Sequence, residues 1–318
     1  MPVAVDQWVE QIRRSDVRAL SRAITAIENG EPEAEAILQR IFPYTGQAYL
    51  IGVTGAPGTG KSSLVDRLAA HYRRQKQSVG ILAVDPTSPF TGGAILGDRI
   101  RMQGHASDPG TFIRSMATRG FLGGLARATA DAALVLDAAG KQVILIETVG
   151  VGQDEVEIAR LADCTLVVLV PGLGDDIQNM KAGLMEIGDI FVLNKSDREG
   201  ADRFEQQLRA MLELAPARDG WRPTVVRTVA TEDRGTAELA EAIAHYRAHV
   251  EQSGRRRAMK IERWKQRLLD LLQARLLERL VGDHRSAQTL AALAEQVAER
   301  KKDPYTAVEE ILAQADLR

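Results

Sequence analysis

The sequence predicts an α/β fold: a doubly wound, mostly parallel sheet with a helical extension before it and a helical arm after it. Three observations carry this reading. Short apolar runs alternate with amphipathic helical stretches from Ala48 to about residue 252, the rhythm of βαβ units whose sheet is covered on both faces. Ahead of them, Trp8, Ile12, Leu20, Ile24 and Ile27 recur on a helical period. Behind them the strands stop after Gln252-Ser253-Gly254. There Met259, Ile261, Trp264, Leu268, Leu271, Leu272, Leu276 and Leu280 mark one stripe of a long helix. The expected divisions are 1–44, 45–252 and 253–318.

In chain order, residues 1–44 read as helical, with Asn29-Gly30 breaking the pattern before Ala34–Phe42. Strands are expected at Tyr49–Val53, Val79–Val84, Phe112–Met116, Val143–Ile146, Leu166–Val170, Ile190–Leu193 and Thr224–Thr228. Helices between them include Ser62–Gln75, Gly124–Ala139, Asp154–Ala162, Asp176–Ile187 and Ala201–Leu214. The arm begins with a helix over 255–281 that carries nine basic and three acidic residues. That excess reads as a solvated face around an apolar seam, with a docking site for an acidic partner as the alternative. Helices at about 286–300 and 304–316 follow.

Composition bounds the function. The chain has 318 residues, 45% hydrophobic and 26% charged, the mix of a soluble protein with a normal core. Its 41 basic and 43 acidic side chains leave a net charge of −2, so neither nucleic acid nor an anionic membrane is expected as a partner. Three Trp, five Tyr and six Phe are too few for a base-stacking platform. Cys164 is the single cysteine, so no intrachain disulfide forms. The start of the chain carries Asp6 and Glu10 rather than an apolar leader. Its longest apolar runs fall far below the roughly 20 residues that span a bilayer. A bacterial-type cytoplasmic location is expected, with an organelle matrix such as the mitochondrial one left open.

The strongest motif is Gly55-Ala56-Pro57-Gly58-Thr59-Gly60-Lys61-Ser62, a full GxxxxGK[ST] after an apolar strand and before a helix. Its glycines let backbone N–H groups turn inward around phosphates, and the helix N-terminus adds partial positive charge. With Ser63 in the first turn, these residues form the expected phosphate cradle. Lys61 is expected to reach the β- and γ-phosphates, and the Ser62 hydroxyl to bind Mg²⁺.

Asn194-Lys195-Ser196-Asp197 follows the strand Ile190–Leu193 and has the NKxD form of a guanine-reading loop. The Asp197 carboxylate can accept from the N1–H and the exocyclic amine of guanine, donors that adenine lacks. Asn194 would orient the loop and approach the base, and the Lys195 stem would lie over the base plane. Sites built on such donors discriminate by roughly 10⁴–10⁵, so GTP and GDP are the expected nucleotides. Asp85, Asp98 and Glu147 lie where strands or loops reach the same edge, and oxygen ligands suit Mg²⁺. Glu147-Thr148-Val149-Gly150 has the ExxG form of a γ-phosphate-sensing turn. Val151 stands where Ras-like GTPases hold a water-orienting glutamine, which predicts slow hydrolysis by the chain alone.

Four further segments make a resemblance specific: Val84-Asp85-Pro86-Thr87-Ser88-Pro89, Gly93 to Met102, Glu147 to Gln153, and Gly174-Asp175-Asp176-Ile177-Gln178. Together they resemble the methylmalonyl-CoA-mutase-associated GTPases of the MeaB/ArgK type, related to the metallochaperone class of P-loop GTPases. The collinear match runs from about residue 45 to 235. The resemblance implies a homodimeric, GTP-hydrolysing chaperone that gates cofactor loading of an adenosylcobalamin-dependent acyl-CoA mutase and protects or reactivates it. It implies phosphate and Mg²⁺ roles for Lys61, Ser62, Asp85, Asp98 and Glu147, and base recognition by Asn194, Lys195 and Asp197. A third switch loop from Gly174 to Lys181 would carry Gln178 and Lys181 as active side chains. The Ala230 backbone N–H would face the guanine oxygen.

Two rivals frame this expectation. A nickel or cobalt metallochaperone would need clustered soft or imidazole ligands. Here Cys164 opens an apolar strand and reads as a core residue, and His245 and His249 are expected on an exposed helix face. An ATP-dependent small-molecule kinase is opposed by Asp197. The apolar stripe of the arm is expected to bury against a second copy in a two-fold dimer. Folding back onto its own G domain is the alternative.

Overall fold

The computed structural model describes residues 2–85, 108–117, 124–148, 160–172, 182–214, 217, 220–281 and 284–314. They form two compact units, Met1–Gln252 and Ser253–Arg318.

In the first unit, helices α1 (Pro2–Arg13), α2 (Val17–Asn29) and α3 (Pro32–Ile41) precede the sheet. The strands are β1 (Tyr49–Thr54), β2 (Val79–Asp85), β3 (Thr111–Ala117), β4 (Val143–Thr148), β5 (Cys164–Leu169), β6 (Ile190–Leu193) and β7 (Thr224–Arg227). Among the described residues they form one seven-stranded sheet of order β3-β2-β4-β1-β5-β6-β7, every neighbouring pair parallel. The expected strands coincide with these to within two residues at either end. The reason is physical: a parallel strand is covered on both faces and reads as an unbroken apolar run. In β4 and β5 all six residues are buried.

The connecting helices are α4 (Lys61–Arg74), α5 (Gly124–Ala138), α6 (Ala182–Ile187), α7 (Ala201–Leu214) and α8 (Thr236–Gln252). Residues 154–159 of the helix expected at Asp154–Ala162, and 176–181 of that expected at Asp176–Ile187, lie outside the described residues. One correction falls near the start. The stripe from Trp8 to Ile27 is carried by two helices rather than one. The chain turns at Ser15, which has φ 58°, and the Asp16 carboxylate then caps α2 by accepting from the Ala19 N–H at 2.8 Å. Capping by an aspartate satisfies a backbone donor that a new helix would otherwise leave orphaned.

The extension shares a core with the sheet. Ile12, Leu20, Ile24, Ile37 and Ile41 are fully buried and pack in one cluster with Leu136 of α5 and Ile144 and Ile146 of β4. A buried ion pair joins Glu28 of α2 to Arg114 of edge strand β3, and Arg114 also donates to the Thr25 hydroxyl at 3.0 Å. On the other half of the sheet, Val167, Phe191 and Leu193 pack with Leu208 and Leu212 of α7.

The second unit contains α9 (Arg255–Val281), α10 (His284–Ala298) and α11 (Pro304–Gln314). Among its described residues, Leu293 and Ala307 are buried apolar side chains. The stripe on α9 lies open in the single chain: Ile261, Trp264, Leu268 and Leu272 are 58%, 38%, 63% and 56% exposed.

Candidate nucleotide site

Register builds the site. Val53 of β1 stands opposite Glu147 of β4 and Leu166 of β5, so the segments leaving these strands emerge on one edge. The loop Gly55–Gly60 leaves β1 there and opens α4 at Lys61. Two of its glycines are dictated by their surroundings. Gly55 has φ 138°, and a Cβ on it would lie 2.2 Å from the Val168 carbonyl oxygen. Gly60, the N-terminal cap of α4, has φ 91°, and a Cβ there would lie 2.4 Å from Nδ2 of Asn194. A side chain at either position would drive apart the two strand ends that the site needs together.

Lys61 is buried, and its Nζ donates to the carbonyls of Gly55 at 2.7 Å and Ala56 at 3.0 Å. The ammonium is therefore held within the loop. The Ser62 hydroxyl donates to Oε1 of buried Glu147 at 2.6 Å. One turn of α4 and the end of β4 thus present a hydroxyl and a carboxylate side by side, the hard-oxygen donor set that Mg²⁺ takes. Thr148 donates to the Thr54 hydroxyl at 3.1 Å and ties the ends of β4 and β1. Asp85 closes β2 on the same edge, its side chain outside the described residues. Asp98, Val151, Gln178 and Lys181 also lie outside them.

Asn194, buried after β6, brackets the loops around it. Its Nδ2 donates to the Thr59 carbonyl at 2.8 Å, and its Oδ1 accepts from the Thr228 hydroxyl and the Ala230 N–H, each at 3.1 Å. The Ala230 N–H, expected to face the guanine oxygen, is thus bonded to Asn194. Lys195, at φ 55°, extends over the phosphate loop and donates to the Gly58 carbonyl at 2.8 Å. Ser196 is fixed by its N–H and its hydroxyl, both donating to the Thr228 carbonyl at 3.1 Å. Asp197 follows as an exposed carboxylate.

Arg67 was not legible in the motif pattern. From the second turn of α4 its Nε donates to the Ala230 carbonyl at 3.0 Å. Thr59 and Thr228 were likewise missed as bracket partners, since neither spacing nor composition marks a hydrogen bond made across the sheet edge.

Elsewhere, Cys164 is fully buried and its thiol is pushed up by that burial, the condition of a core residue rather than a soft metal ligand. His245 is exposed, whereas His249, expected on an exposed face too, packs against the Trp221 ring with centroids 5.3 Å apart. Among the described residues no three His, Cys, Asp or Glu side chains cluster as a metal site. No described helix is long and apolar enough to cross a membrane.

Comparison with known proteins agrees with this geometry. A putative GTPase of Pyrococcus abyssi is 49% identical over 97% of this chain and 96% of its own length. The mitochondrial methylmalonic aciduria type A homolog of Caenorhabditis elegans is 30% identical over 87% of this chain and 77% of its own. The crystal structure of a LAO/AO transport system kinase superposes with a TM-score of 0.74 at 25% identity, covering 98% of this chain and 97% of that one. The family profile described as methylmalonyl Co-A mutase-associated GTPase MeaB matches residues 20–285. A phosphate loop, an NKxD loop bracketed to it and a match over most of the chain agree: the protein belongs to the MeaB family of P-loop GTPases.

Proposed function

We propose that the chain binds and hydrolyses GTP with Mg²⁺ and serves as the chaperone of an adenosylcobalamin-dependent acyl-CoA mutase, the methylmalonyl-CoA enzyme being the expected partner. Residues 45–252 would be the G domain, 1–44 its extension and 253–318 a dimerisation arm. The observation that carries the reading is the Asn194 bracket, which fastens the loop bearing Asp197 to the phosphate loop. One ligand can then meet both, with phosphates at Gly55–Ser63 and a base at Lys195 and Asp197. The family's name and the name of the nematode relative support the mutase as partner.

The residues fit the metal the activity requires. Ser62 and Glu147 would hold Mg²⁺, with Asp85 and Asp98 as further carboxylates, and the ion would neutralise charge on the β- and γ-phosphates. Lys61 would exchange its two carbonyl acceptors for phosphate oxygens. Lys195 would cover the base, and Asp197 would accept its two donors. With Val151 offering no polar group to a water, hydrolysis by the chain alone would be slow. Catalysis of phosphoryl transfer is largely positioning and charge stabilisation. The mutase would therefore act by ordering Gly174–Lys181 so that Lys181 and Gln178 meet the transferring group.

Calorimetric titration with GTP, GDP and ATP, followed by GTP turnover with and without purified mutase, tests the proposal. Selective guanine binding and faster turnover with the mutase are expected. ATP bound as tightly as GTP would remove the guanine assignment, and turnover indifferent to the mutase would remove the partner. A Lys181→Ala variant that binds the mutase but is still fully stimulated would remove Lys181 from the activation step.

A further inference from the structure

The loop after β7 makes a closed circuit with the start of α4. The Thr59 carbonyl accepts from Asn194 Nδ2, Asn194 Oδ1 accepts from the Ala230 N–H, and the Ala230 carbonyl accepts from Arg67 Nε. Arg67 belongs to α4, the helix that the phosphate loop opens, so the circuit returns to its origin through eight residues of chain. The clamped loop is itself tight. Val229 and Arg234 form an antiparallel bridge, and Asp233 has φ 54°. A Cβ on Gly235, at φ 79°, would lie 2.0 Å from the Arg227 carbonyl oxygen. Asn194 holds the peptide group that precedes the Ala230 Cα, through its N–H, and Arg67 the one that follows, through its carbonyl. An exposed pair, Arg74 with Asp233 at 3.4 Å, also joins α4 to this loop.

We propose that Arg67 is a positioning residue for the nucleoside half of the ligand. By fixing the Ala230 carbonyl it sets the loop that walls the base, and so it governs how long a guanine nucleotide stays bound. It touches no phosphate and takes no part in the chemical step. This inference rests on the reading of Asp197 as the base acceptor. It adds that part of the selectivity is stored on the far side of the phosphate helix. A loop free to move would lower the fraction of molecules competent to hold the base, which appears as faster release.

The test uses the full chain, a fluorescent GDP analogue and inorganic tripolyphosphate with Mg²⁺. Arg67→Ala should release the labelled GDP about three- to tenfold faster, the range expected for one net hydrogen bond. Its affinity for tripolyphosphate, which has no base, should be unchanged. Arg67→Lys keeps a donor on a long stem and should recover most of the wild-type release rate. Unchanged release in Arg67→Ala overturns the proposal, as does an equal loss of tripolyphosphate affinity, which would make Arg67 a general support of α4. Asp197→Asn measured alongside separates the two readings. If it leaves GDP release unchanged, the base assignment itself fails. If it accelerates release while Arg67→Ala does not, only the role of Arg67 fails.

Discussion

A single methyl group at position 60 tests the phosphate loop. Gly60→Ala must accept φ 91° and place its Cβ against Asn194 Nδ2. The left-handed conformation alone costs about 1–2 kcal/mol, and the bracket must shift as well. GTP affinity should fall about 5- to 30-fold from that cost, read by calorimetry. Asp197→Asn replaces a charged acceptor, and bonds to charged groups contribute about 1.5–3 kcal/mol. A GTP dissociation constant unchanged in that variant would show that the carboxylate does not read the base. The residues that make the cradle were legible because GxxxxGK[ST] and NKxD fix the backbone locally. Arg67 and the bracket contacts of Thr59 and Thr228 were not, because they join groups up to 163 positions apart along the chain.

At the scale of elements, strands announced themselves as apolar runs, whereas the α1–α2 boundary hid inside a continuous apolar stripe. The signal was the pair Ser15-Asp16, a turn residue followed by a helix cap. Ion pairs attach helices to the sheet. Glu28 and Arg114 have side chains only 4% and 16% exposed, so Glu28→Ala should leave a buried guanidinium short of its counter-charge. The expected loss of unfolding free energy is about 3–5 kcal/mol, measured in urea, and a loss below ~1 kcal/mol would place the pair in effectively aqueous surroundings. At the start of β3, Asp108 accepts two bonds from Arg73 of α4, at 2.6 and 2.9 Å. The guanidinium and the Gly110 N–H hold its carboxyl well below the usual range. A depressed folded-state value means that this contribution is whole above the unfolded value of about 3.9. It disappears as pH falls further, through the folded one. The stability gap between wild type and Asp108→Asn should therefore be constant near neutrality and narrow below about pH 4, measured as urea midpoints against pH. A gap that widened there would reverse the assignment.

At the scale of the whole molecule, the apolar stripe of α9 was legible as a period, and in the single chain it stays open to solvent. Single exposed leucines need no explanation, but a contiguous row of them on one helix does. Light scattering at micromolar concentration should report a dimer. Leu268→Glu combined with Leu272→Glu should give a monomer that still binds GTP, because both positions belong to the second unit and the nucleotide residues to the first. A dimer that persisted with both charges present would place the interface elsewhere. What the sequence could not show at this scale is that the extension is no appendage: Ile12, Leu20 and Ile37 sit in the same core as β4.

That shared core sets a schedule for synthesis. β1 is the centre of the sheet, yet its neighbours are β4 and β5, with Tyr49 opposite Val143 and Ile51 opposite Cys164. As the chain leaves the ribosome, about a hundred residues must follow β1 before either flank exists, at roughly 5–20 residues per second. Throughout that interval the inner faces of α1, α2 and α3 also wait for Ile144 and Ile146. Pairings so distant along the chain are slow to close. The nascent protein thus carries its oldest apolar surface uncovered for several seconds, the period in which a folding helper or a protease would find it. Arrested chains ending before β4 should be digested readily, and protection should appear abruptly once β5 has emerged.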